Sequence, residues 1–126
     1  MIRSVVVPRI VAQHNELDRV RAVLLELGFT DGDGWNDHRS RGVPLIAGDG
    51  VLEFYHGQPP APADVIVEVE DVQRTVEIVR RHRMKVLSEV KRTHWGADLF
   101  VCDIGGCHIA FFSWAEQAEA PLPKAA

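Results

Sequence analysis

The chain contains the segment Trp95-Gly96-Ala97-Asp98-Leu99-Phe100-Val101-Cys102-Asp103-Ile104-Gly105-Gly106-Cys107-His108-Ile109-Ala110-Phe111 close to its C-terminal end. Two runs of alternating apolar residues flank its glycine pair, a pattern that predicts a β-hairpin. A similar unit, with its turn at Gly48-Asp49-Gly50, closes the first half of the chain. We therefore expect one small motif to occur twice, and such a repeat determines the whole fold.

Both halves have the same predicted order of elements, β-α-β-β-β. In the first half these are a strand at Val5–Ala12, a helix at about residues 16–27, and strands near Trp35–Arg39, Val43–Ala47 and Val51–His56. In the second half they are a strand at Val65–Val69, a helix that bears Val72, Val76 and Val79 on one face, and strands at Val86–Val90, Leu99–Asp103 and Cys107–Trp114. A single domain over residues 1–114 is predicted, with modules near 4–57 and 63–114, a proline-rich linker at 57–63, and a loosely ordered tail at 115–126.

Residues at the helix ends support this assignment. Asn15 or His14 precedes the first helix at the N-cap position, and Asp71 precedes the second. Side chains of this kind accept hydrogen bonds from N–H groups that the first turn leaves unpaired. Gly28 follows the first helix, where a residue in the left-handed conformation is common.

Composition limits the possible partners. The chain has 126 residues, is 46% hydrophobic and 25% charged, and carries a formal net charge of −4, which argues against nucleic acid as a partner. No apolar run approaches the roughly 20 residues of a membrane helix. The N-terminal residues do not form a signal peptide, so we expect a cytoplasmic protein. Cys102 and Cys107 lie on the two arms of the hairpin, where a disulfide is conceivable but free thiols are expected in the cytoplasm.

The repeated module resembles the vicinal oxygen chelate superfamily, which includes glyoxalase I, extradiol dioxygenases, fosfomycin-resistance transferases and bleomycin-resistance proteins. The resemblance rests on the strand that runs into the Asp71-capped helix, on Leu27-Gly28-Phe29, and on Trp95-Gly96 followed by the hairpin. Ile104 and Cys107 depart from the family's Asp-Pro-x-Gly-Asn turn. The resemblance implies an α+β fold in which two βαβββ modules form a curled mixed sheet, with the ligand in the cup and the helices outside.

Strand alternation predicts which residues line that cup, because neighbouring side chains point to opposite faces. If Val65, Val67 and Val69 pack on the second helix, then Asp64, Ile66 and Glu68 face the cup. If Leu52 and Phe54 pack on the first helix, then Val51, Glu53 and Tyr55 face it. If Ile109 and Phe111 face the helix, then His108, Ala110, Phe112 and Trp114 face the cup.

The resemblance also tests for a metal site. Metal-using relatives take one ligand from each of four strands, at positions that correspond here to Pro8 (or Arg9), Glu53, Asp64 and Ala110. Only the two carboxylates have donor atoms for a metal, unless His108, His56 or His38 contributes. We therefore expect no metal and no cofactor. Pro8 is also similar to the proline of the first strand in the metal-free bleomycin-resistance branch.

The resulting hypothesis is a metal-free protein that, like bleomycin-resistance proteins, sequesters a hydrophobic or cationic-aromatic molecule in a cleft of a homodimer. Its candidate ligand-binding residues are Trp35, His38, Glu53, Tyr55, Asp64, Trp95, His108, Ala110, Phe112 and Trp114. The alternatives are an isomerase, lyase or dioxygenase on the same fold, with Glu53 or Asp64 as base or metal ligand, and an interaction module of a larger system. Neither nucleic acid nor membrane is expected as a partner.

Overall fold

Residues 1–115 are described by a computed structural model and contain nine strands and two helices. The elements are β1 (Ile2–Ile10), α1 (Glu16–Leu27), β2 (Thr30–Asp31), β3 (Trp35–Asn36), β4 (Ser40–Ala47), β5 (Gly50–Gly57), β6 (Val65–Val69), α2 (Val72–Arg81), β7 (Lys85–Arg92), β8 (Ala97–Ile104) and β9 (Cys107–Trp114). The α+β class expected from the sequence is confirmed. Except for Ala115, the predicted tail lies outside the described residues.

The chain divides into two compact units. The first unit is Ser4–Ala61, and the second comprises Met1–Arg3 and the residues from Pro62 onward. The N-terminal residues belong to the second unit because the Met1 carbonyl accepts a 3.0 Å hydrogen bond from the Glu70 backbone N–H. The Met1 amino group also lies 3.5 Å from Glu70 Oε2.

In the first unit, a mixed sheet packs against α1. Strand β5 lies between β1, with which it runs parallel, and β4, with which it runs antiparallel. Leu17 of α1 and Val43 and Leu45 of β4 are buried together, and Phe54 packs against them. The predicted assignment of Phe54 to the helix-packed face is confirmed, and Glu53 and Tyr55 consequently face the other way.

The first unit contains an edge strand that the sequence analysis predicted only in part, as a strand near Trp35–Arg39. Both β2 and β3 pair antiparallel with β4, so they are two pieces of one interrupted edge strand. The pieces are two residues long each, too short to show an alternating pattern. Residues 32–34 separate the two pieces and leave a gap in this edge of the sheet.

In the second unit, α2 packs on a sheet whose strands were all predicted. Strand β6 runs parallel to β9, β9 is antiparallel to β8, and β8 is antiparallel to β7. The core joins valines of β6 and α2 to the fully buried Phe100 and Cys102. Val65, Ile109 and Phe111 pack against this core, which confirms the helix-facing set predicted for β6 and β9. Both cysteines are free.

The two helices begin differently. The Asp71 side chain accepts hydrogen bonds from the backbone N–H groups of Gln73 and Arg74, at 3.0 and 3.1 Å, as predicted. The capping bond predicted at Asn15 or His14 is wrong, because Asn15 has helical dihedral angles and its side chain makes no such bond. Instead, Glu16 Oε1 accepts a 2.8 Å bond from the Gln13 N–H. Gly28 ends α1 with φ at 113°, the left-handed conformation expected there.

Neither helix in residues 1–115 has both the length and the apolar character that a membrane span requires.

These helix ends give a matched pair of variants. Asp71→Ala is expected to lower the free energy of unfolding by about 1 kcal/mol, because two N–H groups lose their acceptor. Asn15→Ala is expected to change it by only a few tenths of a kcal/mol, since no capping bond is lost. Urea denaturation followed by circular dichroism measures both values, and equal effects would contradict this account of the caps.

Candidate functional site

Glu53 lies at the centre of the sheet face that α1 leaves free in the first unit. On one side its register partner is Pro8 of β1, and on the other it is Pro44 of β4. Register partners point to the same face of a sheet, as does Tyr55 two residues further along β5. We call the surface formed by Pro8, Pro44, Glu53 and Tyr55 the Glu53 face.

Glu53 is an unusual residue for such a position. Its carboxyl group is largely buried beside two proline rings, and within residues 1–115 it forms no hydrogen bond and no ion pair. Burial raises the pKa of Glu53 from 4.5 to about 7, with no compensating positive charge. At neutral pH the group is therefore close to half ionised, and it can accept either a proton or a neighbouring cation.

Trp35 of β3 is positioned close to this face. Its register partner is Gly42, which in turn pairs with Tyr55. The indole ring rests on the Gly42 backbone, since a Cβ atom built on Gly42 would lie 2.0 Å from the ring. Trp35 Nε1–H donates a 2.7 Å hydrogen bond to Ser40 Oγ, which fixes the orientation of the ring. Only glycine at position 42 allows this packing.

A cleft of about 460 Å³ opens beside Trp35, where the edge strand is interrupted between β2 and β3. We call it the edge cleft. Its lining residues are Arg21, Asp31, Gly32, Gly34, Trp35, Asn36, Arg41, Gly42, Val43 and Pro44. Except for Trp35, sequence reasoning did not select these residues, because they come from four separate elements and no local motif joins them.

Two ion pairs frame the edge cleft. Arg21 of α1 binds the Asp31 carboxylate through two hydrogen bonds, and Arg41 of β4 donates a 2.8 Å bond to Asp18 of α1. These guanidinium groups lower the pKa of Asp31 and of Asp18, so both carboxylates are charged at neutral pH. The pairs connect α1 to the edge of the sheet on the helix side of the cleft.

In the second unit, three aromatic rings form what we call the aromatic cluster: Trp95, Phe112 and Trp114. Their ring centroids lie 5.2 to 5.5 Å apart, and all three pairs are edge-to-face. Phe112 is buried, whereas the two tryptophans are half-buried. Trp95 extends from the turn between β7 and β8, in which Gly96 adopts φ of 93°. Edge-to-face contacts between aromatic rings are favourable, and part of each indole stays exposed here.

The comparisons with known proteins agree on architecture. Methylmalonyl-CoA epimerase from Mycobacterium tuberculosis superposes with a TM-score of 0.66 at 13% identity, covering 95% of this chain and 93% of that chain. A hypothetical protein from Bacillus halodurans C-125 gives 0.65 at 12% identity, covering 89% and 94%. A glyoxalase/bleomycin resistance protein/dioxygenase superfamily member from Vibrio splendidus 12B01 gives 0.54 at 13% identity, covering 90% and 99%.

This chain has the glyoxalase fold. No family model and no curated protein sequence matches it. At 12–13% identity the likeness establishes the fold alone, because one fold supports many activities. The chemistry of this glyoxalase-fold protein therefore depends on the side chains that it presents.

The positions that the resemblance assigns to metal ligands carry few donor atoms in this chain. Of the four positions carried over by resemblance, Pro8 and Ala110 have no side-chain donor atom. Within residues 1–115, no group of three or more His, Cys, Asp or Glu side chains is arranged to hold an ion. Glu53 lies between two prolines, so its register neighbours supply no second ligand. The donor set does not fit a divalent metal ion.

Asp64, His108 and His38, which were also predicted as site residues, are exposed. Asp64 is exposed at the start of β6, where its carboxylate accepts a 3.0 Å bond from the His108 N–H and its own N–H donates to the His108 carbonyl at 2.8 Å. His108 is exposed, and its Nε2 lies 3.6 Å from Asp103 Oδ2. His38 is exposed in the turn before β4.

His56 and Ala110 are two further residues that the sequence analysis considered for the site. His56 pairs with Arg41 on the helix-packed side of the first sheet, away from the Glu53 face, and its Nδ1 lies 3.2 Å from the Val11 carbonyl. Ala110 is fully buried. Glu53, Tyr55 and Trp35 are therefore the predicted residues that the first unit brings together.

The raised pKa of Glu53 has a consequence for stability. An unfolded chain ionises this group above about pH 4.5, whereas the folded chain keeps its proton until about pH 7. The folded state thus binds more protons between these values, so the free energy of unfolding falls as the pH rises through this window. The difference of about 2.5 pKa units corresponds to about 3 kcal/mol.

Glu53→Gln is expected to remove this dependence. The free energy of unfolding of the variant, relative to that of the wild type, is expected to rise by up to about 3 kcal/mol between pH 4.5 and 8. Urea denaturation across the pH range measures this difference. Glu26→Gln, on the exposed side of α1, is the matched control and is expected to follow the wild-type profile. A stability difference between Glu53→Gln and wild type that does not vary with pH would rule out a buried, unpaired carboxyl group.

Proposed function

We propose that this chain binds a small hydrophobic or cationic-aromatic molecule without a metal ion, in the manner of bleomycin-resistance proteins. The observation that carries the proposal is the Glu53 carboxyl group, which is buried on an otherwise apolar face without a partner of its own. Burying a carboxylate costs free energy unless an opposite charge accompanies it. A bound cation supplies that charge, so binding offsets the free energy that burial of the unpaired carboxylate costs in the folded protein.

Aromatic side chains supply the other half of the recognition. Tyr55 lies on the Glu53 face, and Trp35 is held rigidly against Gly42 next to it. Aromatic rings attract cations and stack on planar groups. In the second unit, the half-buried indoles of the aromatic cluster offer the same chemistry. The ligand class proposed here, planar and positively charged, suits a carboxylate flanked by such rings.

The metal-free part of the proposal rests on the donor atoms. Pro8 and Ala110 cannot coordinate, and Asp64 is engaged with the backbone of His108. One carboxylate, Glu53, is a poor site for a divalent transition ion. The homodimer and the cytoplasmic location inferred from the sequence belong to the same proposal, and sedimentation tests the dimer against a monomer of 14.1 kDa.

A second candidate is a proton-transfer enzyme, favoured by the pKa of Glu53 at about 7. A general base works best with a pKa close to the working pH, and burial is a common way to raise a glutamate into that range. The protein similar in fold from M. tuberculosis is a methylmalonyl-CoA epimerase. In this alternative, Glu53 removes a proton from a carbon next to a carbonyl group.

Calorimetric titration tests the binding proposal. With metal-free bleomycin or proflavine as the cationic probe, binding at pH 7 is expected to release about half a proton, because the cation lowers the pKa of Glu53 from about 7. Titrations in two buffers of different ionisation enthalpy give this number. Glu53→Gln is expected to release no proton and to bind at least about tenfold more weakly, since a hydrogen-bonded charge contributes about 1.5–3 kcal/mol. Glu26→Gln serves as the control, and equal affinity of Glu53→Gln and wild type would contradict the proposal.

Isotope exchange separates the enzyme from the binding protein. If Glu53 is a general base, incubating methylmalonyl-CoA with the protein in D₂O replaces the proton at C2 with deuterium, which NMR detects. Glu53→Gln then abolishes the exchange. The binding proposal instead expects exchange at the uncatalysed rate with both proteins.

A further inference from the structure

Two histidines lie next to each other in the first unit, and the proposed function uses neither. His56 lies near the end of β5, and His14 belongs to the turn that leads into α1. Their ring centroids are 6.1 Å apart, and the two rings are edge-to-face. His56 points away from the Glu53 face, because it follows Tyr55 along the strand and successive side chains alternate. We call these two imidazole rings the histidine pair.

We propose that the histidine pair binds a divalent transition-metal ion of the Zn²⁺ or Cu²⁺ kind, with one nitrogen from each ring and water in the remaining positions. Imidazole nitrogen is a ligand that these ions prefer. The inference does not rest on the proposed function, because the Glu53 face lies on the opposite side of β5. It also involves none of the four positions that the resemblance assigns to metal ligands.

The separation of the two rings suits a shared ion. A zinc–nitrogen bond of about 2.0–2.1 Å puts the ion about 3.2 Å from each ring centroid. Two rings on one ion therefore lie at most about 6.4 Å apart, and about 5.2 Å apart at the tetrahedral angle. The observed 6.1 Å is within this limit. Because the side chain of His14 is exposed, a small rotation of it closes the remaining difference.

A hydrogen bond holds the ring of His56 in the form that a metal ion requires. Its Nδ1 lies 3.2 Å from the Val11 carbonyl oxygen. A carbonyl group only accepts hydrogen bonds, so Nδ1 carries the proton and the neutral ring has its lone pair on Nε2. Metal-binding histidines commonly donate their second ring N–H to a backbone carbonyl or a carboxylate, which orients the ring. His56 therefore offers Nε2 as the ligand atom.

Backbone hydrogen bonds position the two histidines before an ion arrives. The Val11 N–H donates a 2.8 Å bond to the Tyr55 carbonyl, so the chain leaves β1 beside the end of β5. The Glu16 N–H donates a 3.0 Å bond to the Gln13 carbonyl, which closes the turn that carries His14. Ligands that are already in place lose little conformational entropy on binding.

Carboxylates near the histidine pair balance the charge of an ion. The N-terminus of a helix would by itself repel a cation. Glu16 and Asp18 lie in the first turn of α1, and Asp18 is within electrostatic reach of His14. Asp18 also accepts the 2.8 Å hydrogen bond of Arg41, the register partner of His56. This guanidinium group is therefore neutralised and does not oppose the ion as an unbalanced charge.

Calorimetric titration of the full-length protein with ZnCl₂, in a buffer that does not bind metal, tests the proposal. One Zn²⁺ per chain is expected at the tightest site, and excess MgCl₂ is not expected to displace it, because Mg²⁺ prefers oxygen ligands. In ¹H–¹⁵N spectra of the imidazole nitrogens, the signals of His14 and His56 are expected to shift first among the six histidines. Displacement by Mg²⁺, or an earlier shift at another histidine, would overturn the proposal.

Single variants distinguish a shared ion from two independent sites. His14→Gln and His56→Asn are each expected to bind Zn²⁺ at least about tenfold more weakly, because a second ligand acts at high effective concentration only when the first holds the ion. The double variant is expected to bind only slightly more weakly than either single variant. Reductions that simply add, or wild-type affinity in either single variant, would overturn the proposal.

These substitutions are chosen to leave the fold intact. Asparagine at position 56 retains an N–H donor for the Val11 carbonyl. His14 is exposed, so His14→Gln is expected to fold and tests the proposal even if His56→Asn does not. Circular dichroism verifies the fold of each variant.

Two further variants are the matched controls. His82→Gln replaces an exposed histidine at the end of α2 and is expected to bind Zn²⁺ as the wild type does. Glu53→Gln is also expected to keep this affinity, and a loss there would place the ion on the Glu53 face and overturn the proposal. Since the pair forms only in the folded chain, ZnCl₂ is expected to raise the urea midpoint of the wild type and of His82→Gln. An equal rise in the double variant would contradict the proposal.

Discussion

Each helix of this chain packs against one face of a sheet, and the alternation of side chains along every strand then fixes what the opposite face presents. In the first unit, Phe54 joins the core under α1, so Glu53 and Tyr55 point away from it. In the second unit, Ile109 and Phe111 join the core under α2, so Phe112 and Trp114 lie on the other face. A shift of one residue in either register would bury the candidate binding residues and expose the core.

The same constraint produces two chemically different surfaces in the first unit. On the Glu53 face, prolines on both sides leave the carboxyl group without a partner, and burial raises its pKa to about 7. Around the edge of β4, the interrupted strand leaves a cleft that is framed by the Arg21–Asp31 and Arg41–Asp18 ion pairs. Trp35 adjoins both surfaces because it sits on Gly42 at the edge of the sheet. A carboxyl group without a partner and a cleft framed by two ion pairs therefore lie within one small unit of the glyoxalase fold.

Much of this could be predicted from the sequence, for identifiable reasons. The helix at 16–27, the strand Val65–Val69 and the strand Cys107–Trp114 were predicted with the bounds that the structure has, because their periodicity is strong and glycine or aspartate marks their ends. Glu53 was selected because alternation along the strand points it to the face away from the one on which Phe54 packs. The edge strand was predicted only in part, since β2 and β3 have two residues each and no repeating pattern. Asn15 occupies the N-cap position as predicted, but the capping bond expected there was wrong, because cap preference does not determine whether the residue itself adopts helical angles.

The sequence by itself determined most of the order of elements and the faces that the strands present, since these follow from local patterns. It also determined that two of the four positions assigned to metal ligands by resemblance lack donor atoms, since that follows from the chemistry of single residues. Only the tertiary structure decided that Glu53 is flanked by Pro8 and Pro44, that Asp64 is engaged by the His108 backbone, and that Arg21, Arg41 and Trp35 share a cleft. Those outcomes depend on strand register and on contacts between residues far apart in the chain. No local pattern encodes either of them, because both arise from packing of the folded chain as a whole.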